Sequence, residues 1–173
     1  MDRSMHAVLF LIMATVLSGC TLAYQPPLDV PSAPYVFSGK GGPLEPIRVE
    51  NVTDPGTVVS SRGGKLTLEA KLSDYGEAIV TSLDRELVKN GFQVTPEASK
   101  TIRIDVIDVE MAYPKEYRCD INVAIGAGDK TIGIATDSPA SLMYTHAIDD
   151  AIADAVRRIM GNEEVAAFLT DRP

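Results

Sequence analysis

The chain has 173 residues, a formal net charge of −8 and 45% hydrophobic residues, enough for one domain with a leader and a connecting segment. With 24 acidic residues against 16 basic ones, it lacks the clustered Lys and Arg that nucleic-acid binding requires. It also cannot hold an anionic leaflet by net charge, and the plain consequence of its acidity is solubility.

Residues 7–16 (AVLFLIMATV) form an apolar run too short to span a bilayer, which takes about 20 residues. Arg3 before the run, and the small Ser18 and Gly19 after it, follow the plan of a secretory signal. Asp2 leaves the basic start resting partly on the amino terminus. Leu17-Ser18-Gly19-Cys20 looks like a bacterial lipobox, with a branched apolar residue three places before the cysteine. The bland alternative is an ordinary cysteine after an uncleaved helix; the coincidence of the four features favours the lipobox. That resemblance implies a diacylglyceryl thioether on the Cys20 sulfur, cleavage before it, and often a third acyl chain on its amine. Each buried CH₂ contributes about 0.8 kcal/mol, so one chain binds marginally and two or three bind firmly. Residues 1–19 are then a signal peptide, and the mature charge stays at −8 because Asp2 and Arg3 cancel. Thr21, not Asp, follows Cys20. In enteric-type bacteria this implies the outer membrane, with the domain facing the periplasm and the inner membrane as the alternative.

Residues 20–46 read as the lipidated cysteine and a Pro/Gly-rich tether. Pro26, Pro27, Pro31, Pro34, Pro43 and Pro46 punctuate it and favour a semi-rigid extended spacer. Tyr24, Tyr35, Val36 and Phe37 are apolar enough for part of it to dock instead. Residues 47–173 form the single domain. Residues 47–52 alternate as a strand, 53–56 (TDPG) turn, 57–61 make a weaker strand, and 66–72 carry apolar residues at alternate positions. Asp74 and Glu77 have the spacing of a capping box for a helix of about sixteen residues. Tyr75, Ile79, Leu83 and Leu87 mark its buried stripe, Ala78, Val80 and Val88 widen it, and Asn90-Gly91 ends it.

Residues 101–111 form a strand whose apolar phase slips near Val106-Ile107, the signature of a bulge. Residues 117–125 alternate strictly, 126–130 (GAGDK) make a hairpin loop, and 131–136 return. Ser138-Pro139 has the pattern of a helix start. Ile148, Ala151, Ile152, Ala155, Val156 and Ile159 form the stripe of that helix, Arg157 and Arg158 suit its last turn, and Gly161 ends it. Residues 163–169 add a short terminal helix. Strands with one polar face and two one-sided helices predict an α+β two-layer sandwich. Its sheet is mostly antiparallel and the two main helices lie on one face.

No arrangement of residues spells out a chemistry. Cys119 alternates with the apolar face of Ile121 and Val123, where a thiol is a small filler. Only His146 is available in the mature chain to activate it. One histidine and one such thiol fall short of the three or four ligands of a zinc-type site. Asp149, Asp150 and Asp154 read as a solvated helix face. The glycine clusters at 39–42, 63–64 and 126–128 lack P-loop or dinucleotide-site context and read as turns.

Residues 47–169 resemble the YajG-type family of bacterial outer-membrane lipoproteins. The resemblance is carried by the lipobox, the strand and turn at 49–54 (VENVTD), the helix end at 83–92 (LDRELVKNGF), and the helix at 147–159 with its Glu163-Glu164-Val165 tail. Asn51-Val52-Thr53-Asp54-Pro55 stands where the family often has an Asp-x-Arg turn, and Cys119 is a further departure. The resemblance implies fold and location and almost nothing about mechanism, while the residues themselves call for no cofactor or metal. The expected role is a non-enzymatic accessory, held to the membrane through Cys20 and touching an envelope protein partner. The alternative is a carrier that binds a lipid or glycan fragment between sheet and helices. Replacing the acyl acceptor tests the anchor: Cys20→Ser is expected to leave an unprocessed or soluble protein on membrane fractionation. Retention at the wild-type level would exclude the lipid anchor.

Overall fold

The computed structural model describes residues 20–28, 30, 45–63, 66–112 and 117–171. Among the described residues, seven strands and three helices follow one another: β1 (Cys20–Ala23), β2 (Ile47–Asn51), β3 (Val58–Gly63), β4 (Leu66–Lys71), α1 (Leu72–Lys89), β5 (Lys100–Ala112), β6 (Arg118–Ala127), β7 (Lys130–Ala135), α2 (Tyr144–Gly161) and α3 (Glu163–Thr170). The main sheet has the order β2-β5-β6-β7, and a smaller sheet has the order β1-β4-β3. Both are mixed: β2 runs parallel to β5 and β1 parallel to β4, while the other pairings are antiparallel. The fold is α+β, with α1 and α2 packed on one face of the main sheet.

Alternation decides which face is buried. On β6, Cys119, Ile121, Val123, Ile125 and Ala127 point inward and Arg118 and Asn122 outward. On β5 the inward residues are Ile102, Ile104 and Val106, and beyond them Val109. A bulge between Val106 and Asp108 makes the phase change, and Ile107 is left exposed. The bulge keeps one face buried along a 13-residue strand, as its apolar slip predicts. Ile79, Leu83 and Leu87 of α1, and Ile148, Ile152 and Ile159 of α2, close over these strands with no exposed surface. Val88, expected in the α1 stripe, is exposed instead.

Two helix starts differ from the sequence expectation. Helix α1 begins at Leu72, straight out of β4, so Asp74 lies in its first turn and no side chain caps it. The reason is tertiary: the Leu72 N–H donates to the Thr57 carbonyl (3.0 Å), and the Asn51 amide donates to the Ser73 carbonyl (2.9 Å). Its end is as expected. Gly91 takes a φ of 87°, the Phe92 N–H reaches the Leu87 carbonyl and the Gly91 N–H that of Val88, a Schellman closure.

Helix α2 begins at Tyr144, not after Ser138. Residues 136–141 run extended because they complete the edge of β6 beyond the reach of β7. The Ile121 N–H donates to Thr136 Oγ1 (2.7 Å), Ser138 Oγ donates to the Cys119 carbonyl, and Tyr117 and Ser141 exchange two bonds of 2.7 Å.

The described part of the expected tether lies on the domain. Cys20–Ala23 pairs with β4 in the register Cys20↔Leu66, and the Tyr24 N–H continues the ladder to the Glu69 carbonyl (2.8 Å). Val30 is buried, and its carbonyl accepts from Arg85 (3.2 Å). Residues 31–44 lie outside the described residues.

Gly76 marks the tightest seat in the fold. A Cβ there would overlap the Asn51 side-chain oxygen and come within 2.7 Å of Thr53 Oγ1. Gly→Ala inside a helix ordinarily stabilises by about 0.5–1 kcal/mol. Here the overlap reverses the sign, and Gly76→Ala is expected to cost about 1–3 kcal/mol in thermal denaturation. Gly133→Ala, where nothing lies within 4 Å of the new atom, serves as the control.

Candidate functional site

Strand β7 is an edge of the main sheet. It pairs with β6 in the register Ile134↔Val123 and Ile132↔Ile125, and the Thr136 N–H donates to the Ile121 carbonyl (3.0 Å). Hydrogen-bonded and non-bonded pairs alternate along an antiparallel ladder. Ile132 and Ile134 therefore bond to β6, while Thr131, Gly133 and Ala135 turn their N–H and C=O outward. The two-residue turn at Gly128-Asp129, with Gly128 at a φ of 62°, sets this phase.

A cleft of about 570 Å³ lies beside that edge, between β7 and the end of α2. Its lining includes Gly133, Ile134, Ala135, Arg157, Arg158 and Asn162. One carboxylate positions both arginines. Asp154 is buried (7% exposed); it accepts from Arg158 Nε (2.7 Å), from Arg157, and from the Asp137 N–H (3.0 Å). Burial alone would raise its carboxyl. The Asp137 N–H and the two arginines outweigh burial and hold it below the usual carboxylate range. A guanidinium carries five donors, more than one carboxylate uses. The cleft thus combines an outward backbone ladder with two oriented cations, which suits an extended segment bearing carboxylates.

The residues singled out from sequence fare differently. Leu17, Ser18 and Gly19 lie outside the described residues, and Cys20 opens β1. Cys119 is free and fully buried, and burial, helped by Asp120, pushes its thiol up to about 12. A thiol so protonated is a poor nucleophile. His146 is exposed on the first turn of α2, Asp149 is half-buried and Asp150 exposed. Asp154 is the correction to the solvated-face reading, because it is the buried anchor just described. Arg157 and Arg158 were legible only as complements to a helix dipole. Their adjacency to a sheet edge carries no local signature in the sequence.

Two other clefts frame the molecule. Asp84 lines one of about 480 Å³ with Arg48, Val49 and Pro96. Burial, then Glu77, pushes its carboxyl up to about 6. The other, about 450 Å³, is lined by Ala23, Tyr24, Val58 and Ala70 beside the small sheet. The fully buried side chains of the main sheet, α1 and α2 pack into one core. Among the described residues, no group of three His, Cys, Asp or Glu could hold a metal ion. No described helix is long and apolar enough to cross a membrane.

The Asp154 anchor makes a pH-dependent prediction. A carboxyl held below its unfolded value of about 4 contributes stability above that pH and loses it as pH falls through the folded value. Asp154→Asn is expected to cost about 1–3 kcal/mol at neutral pH, at the lower end because both arginines are part-exposed. Urea denaturation across pH should show the gap to wild type narrowing below about pH 4. A constant gap would exclude the carboxylate as the anchor.

No family model and no curated protein matches the chain. Among solved structures it is similar to a crystal structure of a Xanthomonas campestris protein of the DUF330 family. That match has 15% identity, covers 86% of this chain and 96% of that one, and has a TM-score of 0.49. It is also similar to a crystal structure of a protein described as uncharacterized, at 13% identity, 82% and 96% coverage, and a TM-score of 0.46. At these identities and scores, neither likeness carries a function across.

Proposed function

We propose that this chain is a membrane-anchored envelope lipoprotein acting as a non-enzymatic accessory, which holds an extended, acidic segment of an envelope protein against its β7 edge. The single observation behind this reading is the outward ladder of Thr131, Gly133 and Ala135 beside Arg157 and Arg158. An unpaired sheet edge supplies main-chain hydrogen bonds to an added strand, and the flanking cations supply selectivity. Such an edge is a hazard for uncontrolled pairing, and a dedicated partner removes the hazard.

The anchor reading rests on the lipobox for the acyl group on Cys20, and on Thr21 after it for the outer membrane with the domain facing the periplasm, the inner membrane being the alternative. Membership of the YajG-type lipoproteins belongs to the same reading. It is supported by the lipobox together with the segments 49–54, 83–92 and 147–159. The buried, protonated Cys119 weighs against thiol catalysis. The continuous core of buried side chains joining sheet and helices favours the accessory over a carrier of a lipid or glycan fragment.

Crosslinking in living cells, followed by affinity capture of the lipidated protein and mass spectrometry, tests this. A partner enriched with wild type is expected to be lost in Gly133→Pro. That change removes an outward N–H without breaking the bonds of β7 to β6, and proline is tolerated at such edge positions. Circular dichroism and thermal denaturation establish that the variant folds. Undiminished capture by folded Gly133→Pro would exclude the edge, and no partner beyond the Cys20→Ser control would count against the accessory role.

A further inference from the structure

The exposed apolar side chains are unevenly placed. Leu142 is 86% exposed and Met143 53%, and they immediately precede Tyr144, the first residue of α2. The Tyr144 ring meets Tyr24 edge-to-face at 5.8 Å and Tyr117 at 6.1 Å. Leu22, two residues before Tyr24, is 49% exposed. Val58 is also exposed and lines the same cleft as Ala23 and Tyr24. Leu22, Val58, Leu142 and Met143, four of the eight exposed large apolar residues among those described, thus lie on the segments around the contact between Tyr24 and Tyr144.

That contact is close to Cys20. Tyr24 lies four steps along the chain from Cys20, about 13 Å at 3.3 Å per residue, and this stretch is a paired strand, not a free spacer. The two segments that meet there are themselves uncharged in an acidic chain: residues 20–28 and 138–148 contain no Asp, Glu, Lys or Arg, and the charges beside them, Glu69, Lys71 and Asp74, belong to β4 and α1. Two uncharged segments carrying protruding Leu and Met, with tyrosines behind them, have the chemistry of a bilayer interface.

We infer that this end of the domain, formed by β1 and residues 142–144, lies directly on the bilayer, with Leu142 and Met143 dipping among the lipid headgroups. The inference rests on the reading that Cys20 is acylated. It commits the patch to lipid rather than to a protein. It also sets the β7 groove at the far end of α2, whose 18 residues span about 27 Å. A short paired strand at the anchor holds the groove at a defined height, which a loose tether does not.

The full-length protein, purified from membranes and reconstituted into vesicles of phosphatidylethanolamine and phosphatidylglycerol, tests this. A bimane reporter is placed at Leu142→Cys or, in the turn at the other end, at Asp129→Cys. Buried Cys119 and acylated Cys20 do not compete for the label. Brominated acyl chains are expected to quench the reporter at position 142 several-fold more than at position 129. Intact mass and vesicle flotation check the anchor separately: an unacylated Cys20 that does not float removes the anchor reading and this inference with it. An acylated, floated protein quenched equally at both positions overturns the inference alone. Weak quenching at position 142 together with crosslinks from it to a protein in cells assigns the patch to that protein, and likewise overturns it.

Discussion

Helix α1 can sit on the main sheet only because of what lies between them at Asn51, Thr53 and Gly76. Asn51 bonds in two directions, accepting from the Thr53 N–H (3.1 Å) and donating to the Ser73 carbonyl (2.9 Å). Thr53 then extends the β2 ladder past its last residue, accepting from the Val106 N–H (2.9 Å) at the bulge of β5. Glycine at position 76 lets the helix backbone approach both side chains. One short polar cluster thus ends β2, satisfies a buried donor at the bulge and sets the entry of α1. A buried donor left unpaired costs about 1–3 kcal/mol, so these three functions cannot be separated.

The same economy of polar groups governs the other end of the main sheet. Strand β6 is longer than β7, and its unpaired half faces the segment that leads to α2. Thr136, Ser138 and Ser141 supply the missing partners, and the Asp137 N–H is held by Asp154. The extended segment and the helix are therefore fastened to each other through that carboxylate. The two arginines that neutralise it are brought to the edge of β7 as a result. A structural requirement, the neutralisation of one buried charge, places the cations of the candidate groove.

In the proposed reading the anchor and the groove occupy opposite ends of α2. The end with Leu142 and Met143 carries β1, and the end with Arg157 and Arg158 presents the ladder left open among the described residues. The negative charge of the remaining surface keeps the protein soluble and leaves the groove as a local cationic exception. Such contrast favours an acidic partner through orientation and encounter more than through raw affinity.

Much of the fold was legible in the sequence because it depends on local periodicity. The alternation of β6, the phase slip at Val106-Ile107, the α1 stop at Asn90-Gly91 and the stripes of both helices follow from which residues must face a core. The single fully buried thiol of Cys119 was readable for the same reason. The helix starts at Leu72 and Tyr144 were not, because partners distant in the chain override the local capping patterns around Asp74 and Ser138. Docking of part of the tether was legible as an alternative from the apolar Tyr24, but its form, a strand paired with β4, was not, because the proline-rich composition describes a free chain. The juxtaposition of β7 with Arg157 and Arg158 was hidden as well, since it arises where the sheet edge and the helix end meet through Asp154. The sequence by itself determined most of the buried faces and turns, Val88 and Asp154 apart, because burial follows from the period of each element. Only the tertiary structure decided which edge stays open and which charges stand beside it, because those depend on contacts between segments that share no local pattern.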